Sequence, residues 1–341
     1  MNNIKQFYQV AIRCMTYNQS RYIKDAMNSF ITQQTNFPFV CMIIDDASTD
    51  GEQEVIKKYV ESNFDFSNES VSYKKETDYA QIIYAQHKIN RNCYFAVLFL
   101  KENHYSKKKS KISYLSEWRD CSLYEAICEG DDFWIDSTKL QKQKNILDQN
   151  KNCSLVLSNG IIVDVIDSSF KKRINPFGKH NTGFVKKETL IMEKYGMIPT
   201  ASMMYRTKDY EKPLFFNEAP VGDRPLRMWL MLNGDAYYFD EPMTIYRRHT
   251  EGSFGQKLKN KEFAERIYKQ MVIFFDKYNQ YTNFKYEHIV NYLKEKELYE
   301  YYIRIGDRFS VMKCSHFRTF RTFKKIKYSM KTFMLLIIGK L

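Results

Sequence analysis

Short apolar runs that stop abruptly at polar, acid-rich corners recur along the first half of the chain. Val10-Ala-Ile-Arg-Cys-Met15 reads as a strand, with Thr16, Tyr17 and Asn18 at its carboxyl end. Tyr22, Ile23, Ala26, Phe30 and Ile31 follow at helical spacing, predicting an amphipathic helix to about Gln34. Phe39-Val-Cys-Met-Ile-Ile44 is continuously apolar, the pattern of a parallel strand covered on both faces. It runs into Asp45-Asp46-Ala-Ser48-Thr-Asp50-Gly51, after which Thr49 and Glu52 are spaced as a capping box for a helix carrying Val55, Ile56, Tyr59 and Val60. Residues 62–93 have no readable period. Strands are predicted at 94–100 and 123–128, the second opening into Glu129-Gly130-Asp131-Asp132-Phe-Trp134. A helix over 138–148 precedes strands near 154–158, 161–166, 201–206, 236–240 and 243–247. Beyond Gly255 the pattern is helical and charged, with long segments near 259–278 and 286–305. Strands alternating with helices at this spacing predict an α/β fold on a doubly wound, parallel sheet.

In such sheets ligands bind beyond the carboxyl ends of the strands. Asp45 and Asp46 would therefore share one crevice with Glu129, Asp131 and Asp132. Asp and Gly after a strand also make ordinary turns, and Ser48 or Asp50 can cap a helix. Two such clusters after neighbouring strands favour a site. Crowded carboxylates repel one another unless a cation lies between them, and hard oxygen ligands select Mg²⁺ or Mn²⁺. Such ions bridge to substrate phosphates. No Gly-Lys-Ser/Thr loop is present, so an ATPase phosphate loop is excluded.

Composition narrows this reading. Hydrophobic residues at 44% and only 12 glycines in 341 residues exclude a disordered or collagen-like chain. Seven cysteines, odd in number and without Cys-x-x-Cys, argue against a disulfide framework or zinc site and for a reduced, cytosolic chain. No apolar run reaches the ~20 residues of a membrane span, and the first residues lack a secretory h-region. The net charge of +13 is concentrated at the end: residues 308–341 hold nine Lys or Arg and no acid, leaving +4 on residues 1–307. Apolar residues recur through that tail every three or four positions, from Phe317 to Leu341, predicting a basic amphipathic helix over 308–341 that lies on an anionic membrane. A final helix packed on the core is the other reading. No nucleic-acid recognition module accompanies the basic tail, so nucleic acid is not an expected partner.

Thr16-Tyr-Asn18, Asp45-Asp-Ala-Ser-Thr-Asp50-Gly and Glu129-Gly-Asp-Asp-Phe-Trp134 stand in the order and spacing of glycosyltransferase family 2, which the chain resembles over roughly residues 8–255. The likeness is strongest to bacterial members that build capsule, lipopolysaccharide and other surface glycans. It continues through Thr200–Arg206, Gly222-Asp223 and Glu241–His249. The resemblance implies a GT-A (Rossmann-like) fold, a mostly parallel sheet flanked by helices, over residues 1–255, with a helical C-terminal region over 256–341. It also implies an inverting, metal-dependent transfer from a nucleotide-sugar, a UDP-sugar by preference, to a glycan or lipid-linked acceptor at the inner face of the cytoplasmic membrane. By residue, Thr16, Asn18, Asp45, Asp46, Ser48, Glu129, Gly130, Asp131 and Asp132 would bind the nucleotide-sugar. Asp131 and His249 would hold Mn²⁺ or Mg²⁺, and Asp223 would be the catalytic base. Glu129 stands where the family has Asp, Arg224-Pro225-Leu226 replaces a common aromatic, and residues 62–122 match poorly. A sugar nucleotidyltransferase and an inactive scaffold of a glycan-assembly complex are the alternatives.

Overall fold

The computed structural model describes residues 8–178, 181–193 and 196–318. Its strands are β1 (Tyr8–Thr16), β2 (Phe39–Asp45), β3 (Tyr73–Glu76), β4 (Ala80–Gln86), β5 (Cys93–Leu100), β6 (Ser122–Ile127), β7 (Phe133–Trp134), β8 (Cys153–Asp164), β9 (Lys171–Arg173), β10 (Gly183–Val185), β11 (Met204–Arg206) and β12 (Asp235–Arg248). The helices are α1 (Ile23–Ile31), α2 (Glu52–Asn63), α3 (Ser116–Arg119), α4 (Lys139–Gln149), α5 (Lys187–Met192), α6 (Asp223–Asn233), α7 (Phe254–Lys257), α8 (Lys261–Tyr281), α9 (Glu287–Ile305), α10 (Arg308–Lys313) and α11 (Ser315–Arg318). All strands join one sheet of order β10-β12-β8-β11-β6-β1-β2-β5-β4-β3, with β7 on β12 and β9 on β8.

The sheet is mixed. Parallel pairing runs through β6-β1-β2-β5 and between β8 and β12, and the other pairs are antiparallel. β2 and β5 are buried at every position, which is why they carry no polar alternation. On one face Ile12, Cys14, Cys41, Ile43, Phe95 and Val97 pack with Ile23, Met27 and Phe30 of α1 and Ile56 and Val60 of α2. On the other, Ala11, Val40, Met42, Ile44, Ala96 and Leu98 pack with Leu115 and Trp118. This alternation of faces along each strand is the period of two that a pleat imposes.

Several elements differ from the sequence reading, each for a local reason. The stretch 62–93 holds the antiparallel hairpin β3–β4, hard to read because β3 is an edge strand with little buried surface. The two strands expected over 154–166 are one, β8. The two expected over 236–247 are also one, β12, which shifts register around Pro242. Gly160 permits their close pairing: a Cβ there would lie 2.9 Å from Thr244 Cγ2. α6 was not anticipated because Pro225 reads as a loop signal, yet it falls in the first helical turn, where its missing N–H costs nothing. The capping box does not form. Gly51, at φ 88°, precedes α2, and Glu52 turns inward to complete burial.

The chain forms two compact units. The first takes the described residues up to Lys212 together with Leu226–Glu251, and the second takes Pro213–Pro225 with the described residues from Gly252 on. In the second, α8 and α9 pack together, and Phe274 and Tyr278 of α8 contact Phe216. The tail departs from expectation at its start. Residues 308–318 form two short helices interrupted at Cys314, and Val311, Cys314 and Phe317 are buried against Leu298, Tyr299 and Tyr302 of α9. Residues 319–341, the larger part of the expected amphipathic helix, lie outside the described residues. Among the described residues no helix is long and apolar enough to cross a membrane.

Phe95 sits at the centre of the helix-facing core, fully buried, its ring 4.4 Å from that of Phe64 and 6.5 Å from that of Phe30. Phe95→Ala leaves a cavity among side chains held by two helices and three strands. The expected loss is about 3–5 kcal/mol of unfolding free energy, read from urea denaturation followed by circular dichroism.

Candidate active site

The register of the parallel strands sets the site. Thr16 of β1 lies beside Asp45 of β2, which lies beside Phe99 of β5, so three carboxyl ends are level. β6 continues alongside β1 past its last residue: Cys128 N donates to Arg13 O at 3.1 Å and Gly130 N to Met15 O at 3.1 Å. The acidic loop after β6 is thereby carried to Thr16. The close approach requires glycine, because a Cβ at Gly130 would fall 2.3 Å from Thr16 Oγ1 and 2.5 Å from Gln19 Oε1.

The loops after β1 and β2 are laced together. Asp46 N donates to Thr16 O (3.0 Å), Asn18 N to Ser48 Oγ (2.9 Å), Thr49 N to Asn18 Oδ1 (2.8 Å) and Ser20 N to Asp50 Oδ2 (2.9 Å). Gln19 N donates to Glu52 Oε2 at 2.8 Å. Asn18 (φ 54°) and Ala47 (φ 60°) take left-handed backbone, and these cross-bonds hold them there. Asn18 and Ser48, expected at the nucleotide, thus spend their side chains shaping the two loops.

Asp45 and Asp46 are both buried, and they divide the work between them. The Asp46 carboxylate accepts from His104 N (2.7 Å), Tyr105 N (3.1 Å) and Lys111 Nζ (2.7 Å), clipping the basic loop after β5 to the site. Lys107 and Lys109 of that loop pair with Glu102 instead. Asp45 Oδ1 accepts from Ser48 N (3.1 Å) and Gln53 Nε2 (2.6 Å), while its buried Oδ2 has no partner. Burial raises the Asp45 carboxyl's affinity for a proton, and the Ser48 and Gln53 hydrogen bonds oppose that. A cleft beside it is lined by Ala47, Ser48, Gln53, Phe99 and Lys101.

The acidic loop after β6 is tied to the end of β12. Arg247 N donates to Asp132 Oδ1 (2.9 Å), Arg247 Nη1 to Asp131 O (2.9 Å), and Arg247 Nη2 pairs with Asp25. Thr250 Oγ1 donates to Asp131 Oδ2 at 2.8 Å. Burial pushes both acids up. For Asp132 the charges of Asp131 and Glu129 push further, and for Asp131 the Thr250 hydrogen bond and the Arg247 charge oppose burial. Asp132 is therefore an internal brace. His249, at φ 65°, turns its Nδ1 toward Asp164 of β8 (3.1 and 3.2 Å), which Arg248 Nε also contacts at 2.7 Å. Burial alone would raise the Asp164 carboxyl. Backbone N–H groups, His249 and Arg248 hold it well below the usual range instead.

Asp223 is the first residue of α6, half-buried, in the part of the chain that belongs to the second unit. Among the described residues, no group of three His, Cys, Asp or Glu is arranged to hold a metal on its own. Sequence reasoning missed Glu52, Gln53, Asp164, Arg247 and Thr250. The last two flank His249 in a segment already singled out. Asp164 had no signal, standing 85 residues from its histidine.

Residues 14–77 match the family model described as Glycosyl transferase family 2. The chain is similar to that family over those residues. Its fold is GT-A, shared with the mannosyltransferase PcManGT from Pyrobaculum calidifontis in complex with GDP-Man and Mn²⁺ at a TM-score of 0.53, 11% identity, 97% of this chain and 81% of that one. Staphylococcus aureus TarS in complex with UDP-GlcNAc superposes at a TM-score of 0.48 with 15% identity, covering 88% of this chain and 82% of that one. The uncharacterized protein Rv1520 of Mycobacterium tuberculosis and Mb1547 of Mycobacterium bovis are each 26% identical over 243 residues, 71% of this chain. The chain spans 60% of the length of those relatives.

The family match covers β1 to β3, and the acidic loop after β6 is joined to that stretch through Gly130. Gly130→Ala is expected to force Thr16 and the loop apart at a cost of about 1–3 kcal/mol. A lowered melting temperature checks the strain, and tryptophan quenching by acrylamide checks whether the loop around Trp134 has loosened.

Proposed function

We propose that the protein is an inverting, metal-dependent glycosyltransferase that uses a UDP-sugar. The observation that carries this reading is Asp45: one carboxylate oxygen saturated by two donors, the other buried with none, next to a polar cleft at the carboxyl edge of the sheet. A buried acceptor left unsatisfied is costly, and a ligand N–H entering through the cleft relieves it. Uracil presents one N–H between two carbonyls and suits a single free oxygen. Guanine presents two neighbouring donors and suits a carboxylate with both oxygens free, which supports UDP over GDP. Asp46, consumed by its loop, is left as the structural member of the pair.

The residues present fit a shared divalent cation. Asp131 and Asp132 sit in a negative cluster that burial makes unfavourable, and a cation shared with diphosphate oxygens needs only one or two protein ligands. Asp131 would hold Mn²⁺ or Mg²⁺ with His249, whose ring Asp164 orients, and Glu129 would face the ribose or the metal. When bound, the metal would neutralise charge on the departing diphosphate. Thr16, Asn18, Ser48 and Gly130 would shape the nucleotide pocket. Asp223 would take the proton of the acceptor hydroxyl as it attacks the anomeric carbon from the face opposite the leaving group, which inverts configuration. The acceptor would be a glycan or lipid-linked saccharide of a bacterial surface polysaccharide.

The two acids separate in a paired experiment. Asp131→Asn should abolish Mn²⁺-stimulated UDP binding by calorimetry. Asp223→Asn should bind UDP as the parent does yet lower sugar transfer by about 10² or more. Unchanged, still Mn²⁺-dependent UDP affinity in the Asp131 variant would end the assignment.

The basic tail supports a peripheral membrane contact. Because 308–318 packs on α9, that contact falls to residues 319–341, whose sequence keeps six Lys or Arg, no acid and the run Phe333-Met-Leu-Leu-Ile-Ile338. Ending the chain at Arg318 should abolish sedimentation with anionic vesicles while the protein stays folded and keeps UDP binding.

A further inference from the structure

Glu52 is fully buried, is assigned no part in the reading above, and touches both loops that build the nucleotide pocket. Its Oε2 accepts from Gln19 N at 2.8 Å and Ser48 Oγ at 2.9 Å. Its Oε1 meets Thr16 Oγ1 in a short contact, and the same Thr16 hydroxyl lies 2.9 Å from Gln19 Oε1. A hydroxyl has one hydrogen and cannot donate to two acceptors. The Gln19 amide cannot resolve this by turning over, since its NH₂ faces Asp131, whose charged form it favours. The remaining source of a hydrogen is Glu52. A proton on Oε1 completes a directed chain: Glu52 donates to Thr16, Thr16 donates to Gln19, and Gln19 presents its NH₂ to Asp131. Oε2, with two donors, is then the carbonyl oxygen of a neutral acid.

We propose that Glu52 is a positioning residue that works as a neutral carboxylic acid, and that its proton sets the orientation of Thr16 and Gln19 toward Asp131. Burial pushes the Glu52 carboxyl up to about 7, against the hydrogen bonds of Thr16, Gln19 and Ser48, and the charge of Asp45 adds to the rise. The ionisable groups facing it share its sign or are neutral: Cys14 on β1, Asp45 on β2, Asp50 whose Oδ1 accepts from Glu52 N at 3.0 Å, and, beyond Cys14, Glu129 and Asp131. Among the described residues no cation pairs with Glu52. Loss of the proton would set two acceptors against one hydroxyl and add a charge to an acidic cluster. The pocket thus loosens as pH rises through about 7. The sign follows from linkage: a carboxyl raised above its ordinary value of 4.5 contributes stability fully present below that value and lost as pH passes its folded value.

The proposal rests on the nucleotide reading for its consequence but not for its proton, and the test keeps the two apart. Glu52→Gln supplies an NH₂ to Thr16 and a carbonyl to Gln19 N and Ser48, reproducing the neutral acid at every pH. Glu52→Ala removes both. Parent and Glu52→Gln are melted from about pH 5 to about pH 8.5. The parent should lose stability relative to the variant as pH rises from about 5, with the gap widening up to about pH 7 and levelling off above it. In UDP titrations with Mn²⁺, parent affinity should fall about tenfold across neutrality. Glu52→Gln should hold the low-pH affinity throughout, and Glu52→Ala should bind weakly at every pH. If Glu52→Gln binds as poorly as Glu52→Ala at low pH, or if the parent and the glutamine variant melt with the same pH profile, Glu52 acts as an anion and the proposal is overturned. If the parent binds no UDP at all, the nucleotide reading fails, and the melting comparison alone decides the proton.

Discussion

Negative charge buried at the carboxyl edge of the parallel strands is the constraint on which the site depends. Asp45, Asp46, Glu52 and Asp132 are all buried there, and Asp131 is half-buried beside them. A charge removed from water must find donors or surrender its charge. Each acid meets that demand in its own way: Asp46 with a lysine and two backbone N–H groups, Asp132 with the backbone of Arg247, Asp131 with Thr250. The donors come from segments distant in sequence. The loops after β1, β2, β5 and β6 and the end of β12 are therefore held in register by electrostatics more than by apolar packing. Left-handed Asn18, Ala47 and His249 are where the backbone yields to these bonds.

What could be read from the sequence followed from the two kinds of residue that carry most local information. Continuous apolar runs at 39–44 and 94–100 were recognisable as strands buried on both faces, and the acid corner after the first lies, as read, at the carboxyl edge of the sheet. Signals that depend on context misled. Asn159-Gly160 and Glu241-Pro242 look like turns, yet inside β8 and β12 they are irregularities of two long paired strands. Glu52 has the spacing of a capping residue, yet tertiary donors pull it inward. The bond between His249 and Asp164 joins residues brought together only by β8–β12 pairing, and no local pattern encodes it.

The second unit follows different physics. α8 carries an aromatic interior, with Phe274 and Tyr278 against Phe216, and its charged positions pair near solvent, as in Lys277 with Glu218. Charge decorates the outer face of α8, while Glu297 of α9 is buried and pairs with Arg224 and Arg304. Of the residues buried at the start of the tail, Phe317 alone was read as part of an apolar helix face. What it faces was not legible, because periodicity reports that a surface is apolar without naming what covers it.

The adjacent aspartates have an evolutionary corollary. Asp46 ties the loop that follows β5 to the residue next door to Asp45, so the length and composition of that loop are mechanically joined to the cleft beside Asp45. Insertions or substitutions between Lys101 and Lys111 could shift the backbone at Asp46 and reshape the cleft without altering any residue that lines it beyond Lys101. Diversification of the cleft would then proceed through a surface loop, where change is tolerated, and leave the buried acids untouched.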